Sequence, residues 1–150
     1  MASYHLSVKT VKRSAGRSAT AAAAYRSASV IACEREGREH DYTAKRGVEA
    51  CFILAPDDAP EWAQDRAALW NAAEARETRS NSVTAREWEL ALPSELSDAA
   101  RIALTQAFAA QPLQHRDEGV DLLAAQVAFL ARMRVEPEHG DDRGGDGEIL

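Results

Sequence analysis

Residues 3–11, SYHLSVKTV, and residues 82–93, SVTAREWELALP, alternate apolar and polar side chains with a period of two. Each is followed by a run rich in alanine with apolar residues at helical spacing. This switching of period limits the fold more than any other feature. A two-residue period gives a strand with one buried face, whereas spacings of three and four give one buried stripe on a helix. In the first strand Tyr4, Leu6 and Val8 form the expected buried face, opposite His5, Ser7 and Lys9. In the later one Trp88, Leu90 and Leu92 lie opposite Glu87, Glu89 and Ala91.

The segments between complete the order. The polar turn KRSAGRS leads to Ser18, a hydroxyl placed to cap a helix over about residues 19–29. CEREGREHDYTAKRG, with Gly37 as its turn, is a candidate hairpin, and VEACFILAP (48–56) has the β-branched and aromatic content of a strand ending at Pro56. A second helix starts near Pro60, with Trp62, Arg66, Leu69, Trp70 and Ala73 in its stripe. A third follows the cap Ser97, with Ile102, Leu104, Ala107 and Phe108 forming its buried side. The order β-α-β-α-β-α fits an α+β fold with helices on one face of a mostly antiparallel sheet, and also a small α/β sandwich.

Pro112 breaks this pattern. The expected organisation is one domain over residues 1–111, a helical segment over 112–135 and an acidic, glycine-rich disordered tail over 136–150. No apolar run approaches the roughly 18 residues of a membrane span. Cys33 and Cys51 have no metal or redox spacing and read as reduced thiols, which predicts a cytoplasmic protein.

The net charge of −6 conceals a split. Residues 1–30 hold Lys9, Lys12, Arg13, Arg17 and Arg26 and no acid, so all 24 acidic side chains lie in the remainder. Local potential rather than net charge steers a polyanion, so a basic block on an acidic body is compatible with nucleic-acid binding. Charge alone fits a solvated basic face equally well.

Tyr25 is the one large side chain in SATAAAAYRSAS. Its neighbours at three and four residues are Ala21, Ala22, Ala28 and Ser29, and none crowds the ring. Such a phenol is either a packing residue or a nucleophile standing in a cleft. Attack by a phenol of ordinary pKa, about 10, needs a neighbouring cation. Arg17 and Arg26 are candidates to bind a phosphate, and His5 and Lys9 share a strand face that can contact a phosphate backbone. Glu87 and Glu89 share a face suited to acid–base or metal work, or to ion pairing. His40 and Asp41 are adjacent polar residues with a weak signal. No phosphate-cradling glycine loop, zinc spacing or serine elbow is present.

YHLSVKTVKRSAGRSATAAAAYRS, HDYTAKRGVE, DRAALWNAAEARETRSNSVTAREWELALPSELS and LTQAFA, in that order, resemble the MobA/MobL family of plasmid mobilisation relaxases over about residues 1–110. The resemblance implies a palm-like antiparallel sheet with helices on one side. It also implies nicking of one strand of DNA at an origin of transfer, with Tyr25 at the position of the nucleophile that forms a 5′-phosphotyrosyl bond. It implies DNA as partner, together with accessory mobilisation proteins, and a divalent metal (Mg or Mn) held by histidines that include a His-x-His pair. The chain has His5, His40, His115 and His139 and no His-x-His. No position is therefore assigned as a metal ligand. The expectation is a truncated relaxase with little or no nicking activity; the alternative is a non-enzymatic module that binds single-stranded DNA through His5, Lys9, Lys12, Arg13, Arg17 and Arg26.

Overall fold

The two period-two stretches become β1 (Leu6–Lys12) and β4 (Val83–Leu92), which pair antiparallel with Leu6 opposite Leu90 and Lys9 opposite Glu87. A computed structural model describes residues 6–114 and 132–135 of the chain. Between these strands run α1 (Ala19–Ser27), the hairpin β2 (Val30–Cys33) and β3 (Arg38–Asp41), and α2 (Arg66–Arg76). After β4 come α3 (Asp98–Gln114) and β5 (Arg132–Val135). β5 lies parallel to the free edge of β4, giving a sheet of order β1-β4-β5, while β2 and β3 form a separate two-stranded sheet. The mixed α+β class matches expectation.

Local chemistry explains most element boundaries. The Ser18 hydroxyl accepts the Ala21 amide at 3.1 Å and starts α1. Ala28, in the left-handed region at φ 50°, ends it. Asp65 caps α2 by accepting from the Ala68 amide at 2.7 Å. The helix expected from Pro60 is therefore two pieces, a 3-10 turn (Glu61–Gln64) and then α2. Ser97 caps α3 through the Ala100 amide at 3.2 Å. α3 continues past Pro112 to Gln114, the last described residue of this stretch.

The core is built on small residues. Val11, Ala19, Ala23, Ala24, Ile31, Leu69, Trp70, Ala73 and Ala85 are buried together. Alanines at 19 and 23 lie one turn apart on α1, and short side chains let α1 sit close to α2.

Four expectations are corrected by tertiary contacts. The buried face of β1 is the one bearing Val11, not the one bearing Leu6 and Val8, which are 53% and 48% exposed. The reason is that α1 and its core partners lie on the side of Val11, Ala85 and Glu87. Trp88 points to the other side and meets Phe108 of α3 at 6.0 Å. Residues 48–56 form no strand, since no described strand offers them a ladder; Ile53 instead packs against the core. In α3 the buried stripe is Arg101, Thr105 and Ala109, and Leu104 faces outward. Arg132–Val135, expected to be helical, forms β5, because the edge of β4 supplies hydrogen-bonding groups that a short local preference cannot outweigh. Residues 115–131 and the tail lie outside the described residues, as does His5.

Candidate active site

α1 has two faces with different tasks. Ala19, Ala23 and Ala24 are wholly buried, whereas Ala21, Ala22 and Tyr25 line an open cleft of about 510 Å³. The cleft runs between α1, the hairpin and the β1–β4 pair, and Lys9, Arg17, Arg26, Arg38, His40 and Glu87 also border it. The tiny side chains one turn before Tyr25 leave room beside its ring. The phenol is 41% exposed, so it is reachable from solvent.

The hairpin reaches this cleft because α1 stops sharply. The left-handed Ala28 reverses the chain, and the Tyr42 amide donates to the Ser29 carbonyl at 3.1 Å. The Tyr42 ring then meets Tyr25 edge to face, with centroids 5.3 Å apart and planes at 87°. Lys45 Nζ lies 4.0 Å from the centroid of the Tyr25 ring and donates to the Tyr25 carbonyl at 2.8 Å. The Arg26 guanidinium is 5.5 Å from the same centroid. Two cations thus flank the phenol, and each is drawn to the ring face.

Glu87 organises the floor of the cleft. Its carboxylate is buried and accepts from Arg17 Nη2 at 2.6 Å and from Arg26 Nε at 3.0 Å. Burial alone would raise the Glu87 pKa, but the hydrogen bonds and charges of Arg17 and Arg26 hold it below the ordinary carboxylate value. Glu87 therefore stays ionised and anchors two arginines whose side chains border the cleft.

The structure sorts the sequence-derived candidates. Tyr25, Lys9, Arg17 and Arg26 meet at one cleft. Lys9 is exposed and pairs with Glu89 at 3.7 Å. Lys12 is exposed on the strand but does not border the cleft. Arg13 turns away: its guanidinium bonds the backbone carbonyl of Glu74 and pairs with the Glu74 carboxylate at 3.3 Å. Arg38, Tyr42 and Lys45 border or approach this site though the sequence reading passed over them, and His40, read there only as a weak signal, joins them. Their signal was present, as HDYTAK directly follows the hairpin turn, but only the chain reversal at Ala28 brings it to Tyr25.

Glu74 is the hidden support. This buried side chain of α2 accepts the Ala19 amide at the start of α1 and pairs with Arg13 and, at 2.9 Å, with Arg35. An anion at the first turn satisfies a free amide and opposes the positive end of the helix dipole.

Cys33, Glu36 and His40 bring three ligand atoms within 4.8 Å of one another, a grouping that their sequence spacing did not single out. No other such grouping occurs among the described residues.

The MobA/MobL family profile matches residues 17–129. The chain belongs to the MobA/MobL family. The match continues beyond residue 110, where the sequence resemblance was expected to stop. Similar proteins include the mobilization protein MobL of Acidithiobacillus ferridurans, 48% identical over 73% of this chain and 28% of that protein. The conjugal transfer protein TraA of Rhizobium radiobacter is 41% identical over 72% of this chain and 11% of its own length. The chain thus spans less than a third of these MobA/MobL relatives. A chain solved in work on the molecular basis of vancomycin resistance transfer in Staphylococcus aureus superposes with a TM-score of 0.69 at 38% identity, over 73% of this chain and 56% of that one. No helix of the described residues is long and apolar enough to cross a membrane.

Proposed function

We propose that this chain carries the DNA-binding and nucleophile-bearing part of a MobA/MobL relaxase, and that it acts on single-stranded DNA at an origin of transfer. The observation that carries this reading is the half-exposed Tyr25 phenol between Arg26 and Lys45, at a cleft bordered by Lys9, Arg17 and Arg38. Phosphates of the strand would sit against Lys9, Arg17 and Arg38 and replace part of the pairing that Glu89, Glu87 and Glu36 now supply to them. The alanines at 21 and 22 leave space for the sugar-phosphate chain beside the ring.

In the transfer itself the Tyr25 oxygen attacks the phosphorus. A bond from oxygen to phosphorus forms as the bond to the 3′ oxygen breaks, and the phenol loses its proton while the 3′ oxygen gains one. The products are a 5′-phosphotyrosyl link and a free 3′-hydroxyl. Arg26 and Lys45 add positive charge where the phenolate and phosphate develop negative charge.

The metal expected for the family does not fit these residues. The sequence has no His-x-His, and the cluster at Cys33, Glu36 and His40 has one histidine, a thiol and a carboxylate. We infer that nicking by these 150 residues alone is weak. A fluorescent single strand containing the cognate origin tests the reading. Binding with denaturant-stable capture that Tyr25→Phe abolishes supports it. Binding without capture, unchanged by Tyr25→Phe, selects the second reading, a non-enzymatic single-strand-binding module, which the exposed cations around the cleft also favour. Absence of binding at low salt refutes both.

A further inference from the structure

We propose that Cys33, Glu36 and His40 form a binding site for a Zn²⁺-class divalent cation, built into the β2–β3 hairpin at the wall of the Tyr25 cleft. The backbone sets up the trio. Cys33 pairs with Arg38 and Ile31 pairs with His40, so Cys33 and His40 are diagonal neighbours on one face of the hairpin. Glu36 comes from the connecting turn, which closes through the Gly37 amide on the Cys33 carbonyl at 2.9 Å with Gly37 at φ 63°. A positive φ of that kind suits glycine and aims the preceding residue back over the strands. Cys33 and His40 are both buried, so two of the three donors are held by packing.

The donor set selects the metal. Thiolate, imidazole and carboxylate together suit zinc, whereas magnesium and manganese prefer oxygen donors. Zinc bonds of about 2.0–2.3 Å need donors nearer than the 4.8 Å limit of this group, so the trio must close by about 1 Å. Glu36 can make that movement, since it is half-buried on a turn, and its Oε2 already lies 3.1 Å from His40 Nε2. Three protein donors leave a fourth position open, and His40 borders the cleft.

The charges around the trio suit a divalent ion. Arg38 Nε and Arg35 Nη2 each donate to a Glu36 carboxylate oxygen at 2.9 Å. The Arg35 guanidinium pairs with Glu36 and with Glu74, each at 2.9 Å, at the edge of the trio. Thiolate and carboxylate together match the charge of the ion. Arg35 keeps Glu74 as its partner, and Arg38, largely exposed, can leave Glu36 for solvent.

The test titrates the reduced full chain with Co²⁺ and then Zn²⁺. The expected result is one ion per chain, a near-ultraviolet thiolate-to-cobalt band that Zn²⁺ removes, and a higher melting temperature with Zn²⁺. Cys51→Ser should keep the band, because Cys51 lies outside the trio. Cys33→Ser should lose it. Cys33→Ser, His40→Gln and Glu36→Gln should each weaken Zn²⁺ binding by at least about tenfold, the lower end of what even outer-shell partners contribute. Circular dichroism on the same samples reports folding; Glu36→Gln, on the turn, keeps the test decisive if a buried variant unfolds. Absence of the band, a band that follows Cys51, or wild-type affinity in Glu36→Gln overturns the proposal.

Discussion

Replacing Glu74 by alanine should cost about 3 kcal/mol of stability, more than any surface change. The magnitude follows from what its carboxylate holds. Glu74 is 1% exposed and serves three donors: the Ala19 amide, Arg13 at 3.3 Å and Arg35 at 2.9 Å. Removing one partner of a buried ion pair costs about 3–5 kcal/mol. Two features bring the value to the lower end. The Arg35 side chain is 36% exposed, so water replaces much of its pairing. Arg13, at 11%, keeps its bonds to the carbonyls of Glu74 and Arg79. The orphaned Ala19 amide adds a cost of up to about 1–3 kcal/mol unless water enters the vacated space. Glu74→Gln should cost less than Glu74→Ala because its carbonyl oxygen can still accept from Ala19. Urea unfolding followed by circular dichroism measures both, and a double-mutant cycle with Arg13→Ala should give a coupling of about 1–2 kcal/mol. Added salt should restore little, since a buried pair is weakly screened. Losses within about 0.5 kcal/mol for both variants, or a coupling near zero, would refute the account of Glu74 as the support of α1.

Other outcomes follow from the cleft. Tyr25→Phe should abolish covalent capture of a DNA strand and leave binding within about twofold, read by denaturing gel and fluorescence anisotropy. Ala21→Leu should block the cleft and weaken strand binding while leaving the melting temperature nearly unchanged, because Ala21 faces the opening rather than the core. Lys9→Ala and Arg17→Ala should each lower the salt slope of single-strand binding by about 0.7, one phosphate apiece; an unchanged slope would remove them from the interface. Glu87 has a depressed pKa in the folded chain, so its contribution is complete above the unfolded value of 4.5 and fades as pH falls through the lower folded value. Glu87→Gln should therefore flatten the acid side of the stability curve, a difference that urea melts between neutral pH and pH about 3 would show.

Sequence pattern alone determined β1, β4, the three helices and two of their caps, because each depends on side chains within one or two turns. Ser18 and Ser97 reach amides three residues on, and α2 needs only its Leu69, Trp70 and Ala73 stripe. The bare surroundings of Tyr25 on α1 were legible for the same reason: isolation among alanines is a local property. The alternation of Leu6 and Val8 misled because period two marks two faces without saying which one the helices cover. Residues 48–56 carried strand chemistry without a partner strand, and Arg132–Val135 found one at the edge of β4.

Apart from the adjacent Arg26, what surrounds Tyr25 comes from distant parts of the chain. Glu87 is 70 residues from Arg17, and Glu74 is 55 from Ala19. Tyr42 and Lys45 arrive through the reversal at Ala28. Cys33, Glu36 and His40 converge only once the hairpin register is set. Charge pairing and ligand geometry depend on distances of a few ångströms between side chains that local periodicity cannot relate. The pattern of residues determined which elements form and which face of α1 is bare. The packing of β4, α2 and the hairpin around α1 decided what stands beside the phenol.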